Sequence, residues 1–119
     1  MNTRIETVEE TITTNASGAF SKEVNVPKGL LLEILYTAGT LETGTDITIT
    51  EKKTGKTILA DTDVGTSNLV YAPRQLEHLN TTGAALTTHD KMTVCGPLIL
   101  TIAQGGNATS GKIEFRVQV

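Results

Sequence analysis

The sequence predicts an all-β chain: one antiparallel β-sandwich of about eight strands, jelly-roll or immunoglobulin-like, preceded by an extended N-terminal arm. Three observations predict it. Short segments alternate apolar and polar residues with a period of two. Gly, Pro and Asn separate them at short, even spacing. Threonine occurs 22 times in 119 residues, and its branched Cβ is stiff at χ1 and suits a pleated strand. The length fits one domain, with residues 1–14 as the arm and 15–119 as the sandwich.

Along the chain, Ile5, Val8 and Ile12 stand at i, i+3 and i+7, a helical spacing. Thr3, Thr7, Thr11, Thr13 and Thr14 share the stretch and weigh against a helix, so an extended arm is expected. Phe20, Lys22, Val24 and Val26 form one stripe of a strand stopped by Pro27. Lys28-Gly29 reads as a turn. Leu30 to Tyr36 is apolar on both faces except at Glu33, which suits a central strand. Asp46 to Glu51 alternates, Lys52 to Lys56 is a polar hairpin turn, and Thr57 to Asp61 returns. Ser67 to Tyr71 is a strand ended by Pro73, and Met92 to Cys95 a short one entering a turn. Pro97 to Ala103 is strongly apolar and central. Gln104 to Gly111 is a glycine-rich turn that requires positive φ. The last strand is the clearest: Ile113, Phe115, Val117 and Val119 on one face, Lys112, Glu114, Arg116 and Gln118 on the other. Between these elements Pro73 to Lys91 reads as a loop of about nineteen residues. Long loops in small domains are usually functional, which makes this the expected contact surface.

Composition narrows the function. With no Trp, two Phe and two Tyr, the core must be aliphatic. Ten Lys and Arg against 13 Asp and Glu leave a formal net charge of −3. No basic stripe is visible, which argues against nucleic acid and against a basic membrane-surface anchor. No apolar run approaches the ~20 residues of a membrane span, and residues 1–10 lack the apolar centre of a signal peptide. The single cysteine, Cys95, makes no internal disulfide, so synthesis in a reducing cytoplasm is expected.

No constellation of catalytic residues stands out, and an enzyme is not expected. His78 and His89 match no common zinc spacing and read as surface histidines. Asp46, Asp61, Asp63 and Asp90 follow no calcium-loop pattern. Cys95 reads as a small hydrophobe rather than a nucleophile. Gln104-Gly105-Gly106-Asn107 lacks the Lys-Ser/Thr of a phosphate loop. Neither metal nor cofactor is therefore expected. Arg74, directly after a strand-ending Pro, is either an interface anchor or a solvated side chain. The residues expected at an interface are Ile5, Val8, Ile12, Arg74, His78 and His89.

Several segments in order carry a resemblance. They are Leu41-Glu42-Thr43-Gly44-Thr45-Asp46-Ile47-Thr48-Ile49-Thr50, Lys56-Thr57-Ile58-Leu59, Val70-Tyr71-Ala72-Pro73-Arg74, Thr82-Gly83-Ala84-Ala85-Leu86 and Ile102-Ala103-Gln104-Gly105-Gly106-Asn107-Ala108. Their order resembles a family of small structural proteins of tailed bacteriophages, over roughly residues 30–119. The resemblance implies a virion component: a capsid decoration (cement) protein on the outer surface of the head, bound to the major capsid protein and to itself as a homotrimer. Relatives commonly have a longer segment between Thr87 and Cys95, so the partner geometry here is expected to differ. Under this reading the arm is mobile in the free protein and orders on the capsid. Two other roles compete: a tail, collar or fibre-attachment component, and a receptor- or carbohydrate-binding module. The latter needs exposed aromatics, whereas Tyr36 and Tyr71 both fall in predicted strands.

Overall fold

In the computed structural model, which describes residues 4–119, ten strands and no helix are found among the described residues. They are β1 (Ile5–Thr13), β2 (Phe20–Val24), β3 (Gly29–Thr37), β4 (Asp46–Glu51), β5 (Thr57–Asp61), β6 (Leu69–Tyr71), β7 (Arg74–His78), β8 (Ala85–Val94), β9 (Leu98–Ala103) and β10 (Ser110–Gln118). All pairings are antiparallel and make two sheets. One runs β1-β10-β3-β8-β7, with β6 also on β3; the other runs β2-β9-β4-β5. The fold is sandwich-like.

The pairing is nested. β1 takes β10, β2 takes β9, β3 takes β6, and β4 takes β5. Such a chain is a long hairpin rolled over on itself, with successive nested pairs landing in opposite sheets. The β7–β8 hairpin is an insertion in this scheme. Only the end of β8 joins the body, where Met92, Thr93 and Val94 pair with Leu31, Leu30 and Gly29. β6 covers the rest of the same β3 edge, from Ile34 to Tyr36.

Period-two alternation builds the core. Ile113, Phe115 and Val117 of β10, Leu98, Leu100 and Ile102 of β9, and Ile47 and Ile49 of β4 are buried between the sheets. Tyr36 and Phe115 are its fully buried aromatics, so aliphatic packing carries most of the apolar burial. In β3 the alternation slips. The register shifts between Arg116 and Val117, so Leu31 opposes Val117 and Glu33 opposes Arg116. Leu32 is the extra residue of a bulge, which lets Leu31, Ile34 and Tyr36 all face inward.

Two expectations are corrected. The stretch read as a free arm is β1, which pairs residue by residue with β10 from Ile5 opposite Gln118 to Thr13 opposite Ser110. It is extended, but it belongs to the sheet; Met1 to Thr3 of the expected arm lie outside the described residues. The helical spacing of Ile5, Val8 and Ile12 is coincidental, since strand parity turns Val8 and Ile12 inward and Ile5 outward. Glu10, also on the inward row, pairs with Lys22 at 2.6 Å and so links β1 to β2 of the other sheet. The second correction concerns Pro73 to Lys91, which is a β-hairpin and not a loop; with β1 and β7 added, ten strands among the described residues replace the expected eight or so.

The turns follow their sequences more closely. Lys52 to Lys56 closes the β4–β5 hairpin, with Gly55 at φ +73°. The β9–β10 connection carries positive φ at Gln104, Gly106 and Ala108. It is held by Thr14 and Thr109: the Thr14 hydroxyl donates to the Gly106 carbonyl at 2.7 Å, and the Thr109 hydroxyl to that of Gly105 at 2.7 Å.

Candidate interaction surface

Three of the residues expected at an interface lie on one feature. Arg74 and His78 are on β7 and His89 on β8, and the hairpin they build projects from the sandwich. From Arg74 to Lys91 only Gln75 and Leu86 are even half-buried. A two-stranded ribbon with both faces in water is marginal by itself. At its tip the Leu79 N–H donates to the Ala84 carbonyl at 2.9 Å and the Gly83 N–H to the Leu79 carbonyl at 2.8 Å. At its root the Gln75 Oε1 accepts the Thr93 N–H at 3.2 Å.

Register sorts the side chains into two faces. Arg74 is opposite Lys91, Leu76 opposite His89, and His78 opposite Ala85. Directly opposed residues of an antiparallel pair share a face, and alternate residues of a strand do too. Arg74, Leu76, His78, His89 and Lys91 therefore line one face. Gln75, Glu77 and Asp90 line the other. The register shift between Leu76 and His78 keeps this sorting, because β7 advances by two residues while β8 runs back by four, from His89 to Ala85. Because Met92 and Val94 point into the core, the Arg74 face continues the outer face of the larger sheet. There Thr93 lies opposite Leu30, and Val70 opposite Leu35.

The surface is apolar and cationic. Val70 is 66% exposed, Leu79 45% and Leu76 39%. Among the described residues neither Arg74 nor Lys91 takes part in an ion pair, although Arg116–Glu33, Lys112–Glu114 and Lys22–Glu10 do elsewhere. The Arg74 guanidinium donates only to its neighbour, the Pro73 carbonyl, at 3.0 Å.

The other three expected residues lie apart. Ile12 is fully buried, and Val8 packs against the core. Ile12 thus serves internal packing and presents nothing to a partner of the folded chain, and Val8 is half-buried. Ile5 is 58% exposed but sits on β1, at the opposite edge of the sheet from β7.

The remaining candidates have local roles. The Asp46 carboxylate accepts the Asp63 N–H at 3.1 Å and the Gln104 amide at 3.3 Å. Asp61 accepts the Tyr71 hydroxyl at 3.0 Å. Burial first, then that bond and the Asp61 charge, raise the Tyr71 hydroxyl well above the ordinary tyrosine range. Tyr36 is buried and donates to the Gly65 carbonyl at 3.1 Å. Tyr36 is therefore closed to stacking, and Tyr71 is half-buried. Cys95, read as a small hydrophobe, is exposed in the β8–β9 turn, continuing the outward row of Lys91 and Thr93. Among the described residues no three metal-ligating side chains converge and no pocket opens. Leu76, Val70 and Lys91 escape sequence reasoning, because only strand pairing shows which face they share.

No protein-family model matches the chain, and no curated protein matches it.

Proposed function

We propose that this protein is a virion structural protein that decorates and stabilises a tailed-phage capsid. It binds the major capsid protein lattice from outside, as a homotrimer, without catalysis or cofactor. It is made in the host cytoplasm and ends on the outer surface of the head.

The observation that carries this reading is the projecting β7–β8 hairpin. It leaves apolar and cationic side chains in water on a body whose own core is closed. A protein organised this way acts by contact. Repeated on a lattice, weak contacts of this size sum by avidity.

The nested strand order supports the reading. We take the sandwich to be a jelly roll rather than an immunoglobulin-like fold, because first-with-last pairing gives the two sheets β1-β10-β3-β6 and β2-β9-β4-β5. Jelly rolls build viral capsid domains, and also lectins and cupins, so the fold alone names no function. The buried or hydrogen-bonded tyrosines weigh against the lectin use.

Quantitative mass spectrometry of purified particles tests the proposal. A copy number near that of the major shell protein is expected. A ratio of a few per cent places the chain in the tail, collar or fibre attachment, and absence from particles overturns the virion role.

A further inference from the structure

Arg74 and Lys91 stand directly opposite each other on one exposed face of the hairpin. Opposed residues of an antiparallel pair have Cβ atoms ~4.5–5.5 Å apart, and like charges there destabilise the pair. Elsewhere Lys112 lies beside Glu114 and Glu9, Arg116 beside Glu33, and Lys52 beside Glu23; Lys28 and Lys53 are in no ion pair, but among the described residues no other two cations stand opposite each other in the strand registers. The hairpin's own carboxylates do not relieve the pair, because Glu77 and Asp90 occupy the opposite face by strand parity. Next along the cationic face come Leu76 and His89, one opposite the other, with Leu76 39% exposed. The ribbon thus presents a positive pair followed, one step of ~7 Å along the strand, by an apolar contact.

We propose that this face docks an acidic segment of the shell protein, with a partner carboxylate seated between Arg74 and Lys91 and an apolar partner side chain on Leu76. The inference rests on the decoration reading for the identity of the partner, and on charge complementarity for its chemistry. A carboxylate between the two cations removes their repulsion and gains two charge-assisted hydrogen bonds. Arg presents a planar fork for it, and Lys a point charge. The bond count is small, so most of the affinity comes from repetition over the lattice, while the charges set orientation and encounter rate.

The test uses the full chain and shells assembled without it. Binding is measured by co-sedimentation for wild type, Arg74→Glu/Lys91→Glu, the neutral pair Arg74→Gln/Lys91→Gln, and Lys28→Glu as a control on another exposed lysine. Thermal melts check that each variant folds. Carbodiimide cross-linking of the bound wild type then joins lysine amines to carboxylates in direct contact. The expected result is at least ten-fold weaker binding for the charge reversal, an intermediate loss for the neutral pair, none for Lys28→Glu, and a Lys91 cross-link to an Asp or Glu of the shell protein. Wild type that binds shells, with folded variants that bind equally well, overturns this inference and leaves decoration standing. Wild type that does not bind shells overturns both. A Lys91 cross-link only to another copy of this chain overturns the shell as occupant.

Discussion

The side-chain carboxylate of Glu51 accepts the backbone N–H of Cys95 at 3.0 Å. Glu51 ends β4 in one sheet, and Cys95 opens the turn by which β8 of the other sheet passes into β9. The same carboxylate accepts the Thr54 hydroxyl at 2.7 Å, the Lys52 N–H donates to the Pro97 carbonyl at 3.0 Å, and the Lys56 ammonium donates to the Thr93 carbonyl at 2.8 Å. These bonds clamp the β4–β5 turn onto the root of the projecting hairpin. Glu51 is only 3% exposed, and removing it deletes two part-buried hydrogen bonds to a charged group. Glu51→Ala is expected to cost about 1–3 kcal/mol, read from urea unfolding.

The same residue gives a pH dependence. Burial pushes the Glu51 carboxyl up. The bonds from Thr54 and Cys95, with the Lys56 and Lys53 charges, outweigh it and hold the group below the ordinary glutamate range. The folded chain therefore binds this proton less readily than the unfolded chain. The resulting stability is present above the unfolded glutamate pKa and is lost as pH falls through the folded one. Urea midpoints measured toward acid pH are expected to fall, with a shallower acid slope in Glu51→Gln. Identical slopes contradict the assignment.

β1 is a structural strand. Its deletion removes the fully buried Ile12 and bares the edge of β10. A chain lacking residues 1–13 is expected to lose its cooperative thermal transition. Hydrogen exchange on the free protein should show slow amides on β1 where it pairs with β10. Fast exchange throughout β1 would restore the mobile arm.

Two glycines are fixed by backbone approach. A Cβ on Gly29 would meet the Gln118 carbonyl oxygen, and one on Gly39, which has φ +55°, would meet that of Ser110. Gly29→Ala is expected to cost about 1–3 kcal/mol, as overpacking does, and Gly39→Ala adds the strain of a left-handed residue. Thermal melts measure both. For scale, Phe115→Ala in the core should cost about 3–5 kcal/mol.

Legibility in the sequence followed burial. β10 and β4 each have one wet and one dry face, and their alternation located them to within about two residues. β1 hid its alternation, because its inward row reads Glu6, Val8, Glu10, Ile12, and Lys22 comes from a distant strand to neutralise Glu10. β7 and β8 had no alternation to show, since neither face of the hairpin is covered; the exposed turn at Gly83 and the polar flanks read as loop. The same stretch was nevertheless expected to be the contact surface, and Arg74, His78 and His89 lie together on it. Lys91 could not be joined to Arg74 without the register, and Ile5, Val8 and Ile12 were grouped by a period the chain does not use.

The hairpin can be tested as a unit. Replacing residues 74–91 with a tight Asn-Gly turn removes the exposed ribbon, the Arg74–Lys91 pair and Leu76 included, and no buried core residue, so the melting temperature should stay within a few degrees of wild type. Co-sedimentation of this shortened chain with shells assembled without the protein is the decisive measurement. Wild type should sediment with the shells at close to one copy per shell subunit, while the shortened chain, equally folded, stays in the supernatant. A shortened chain that sediments as well as wild type would show that the hairpin is not the attachment surface.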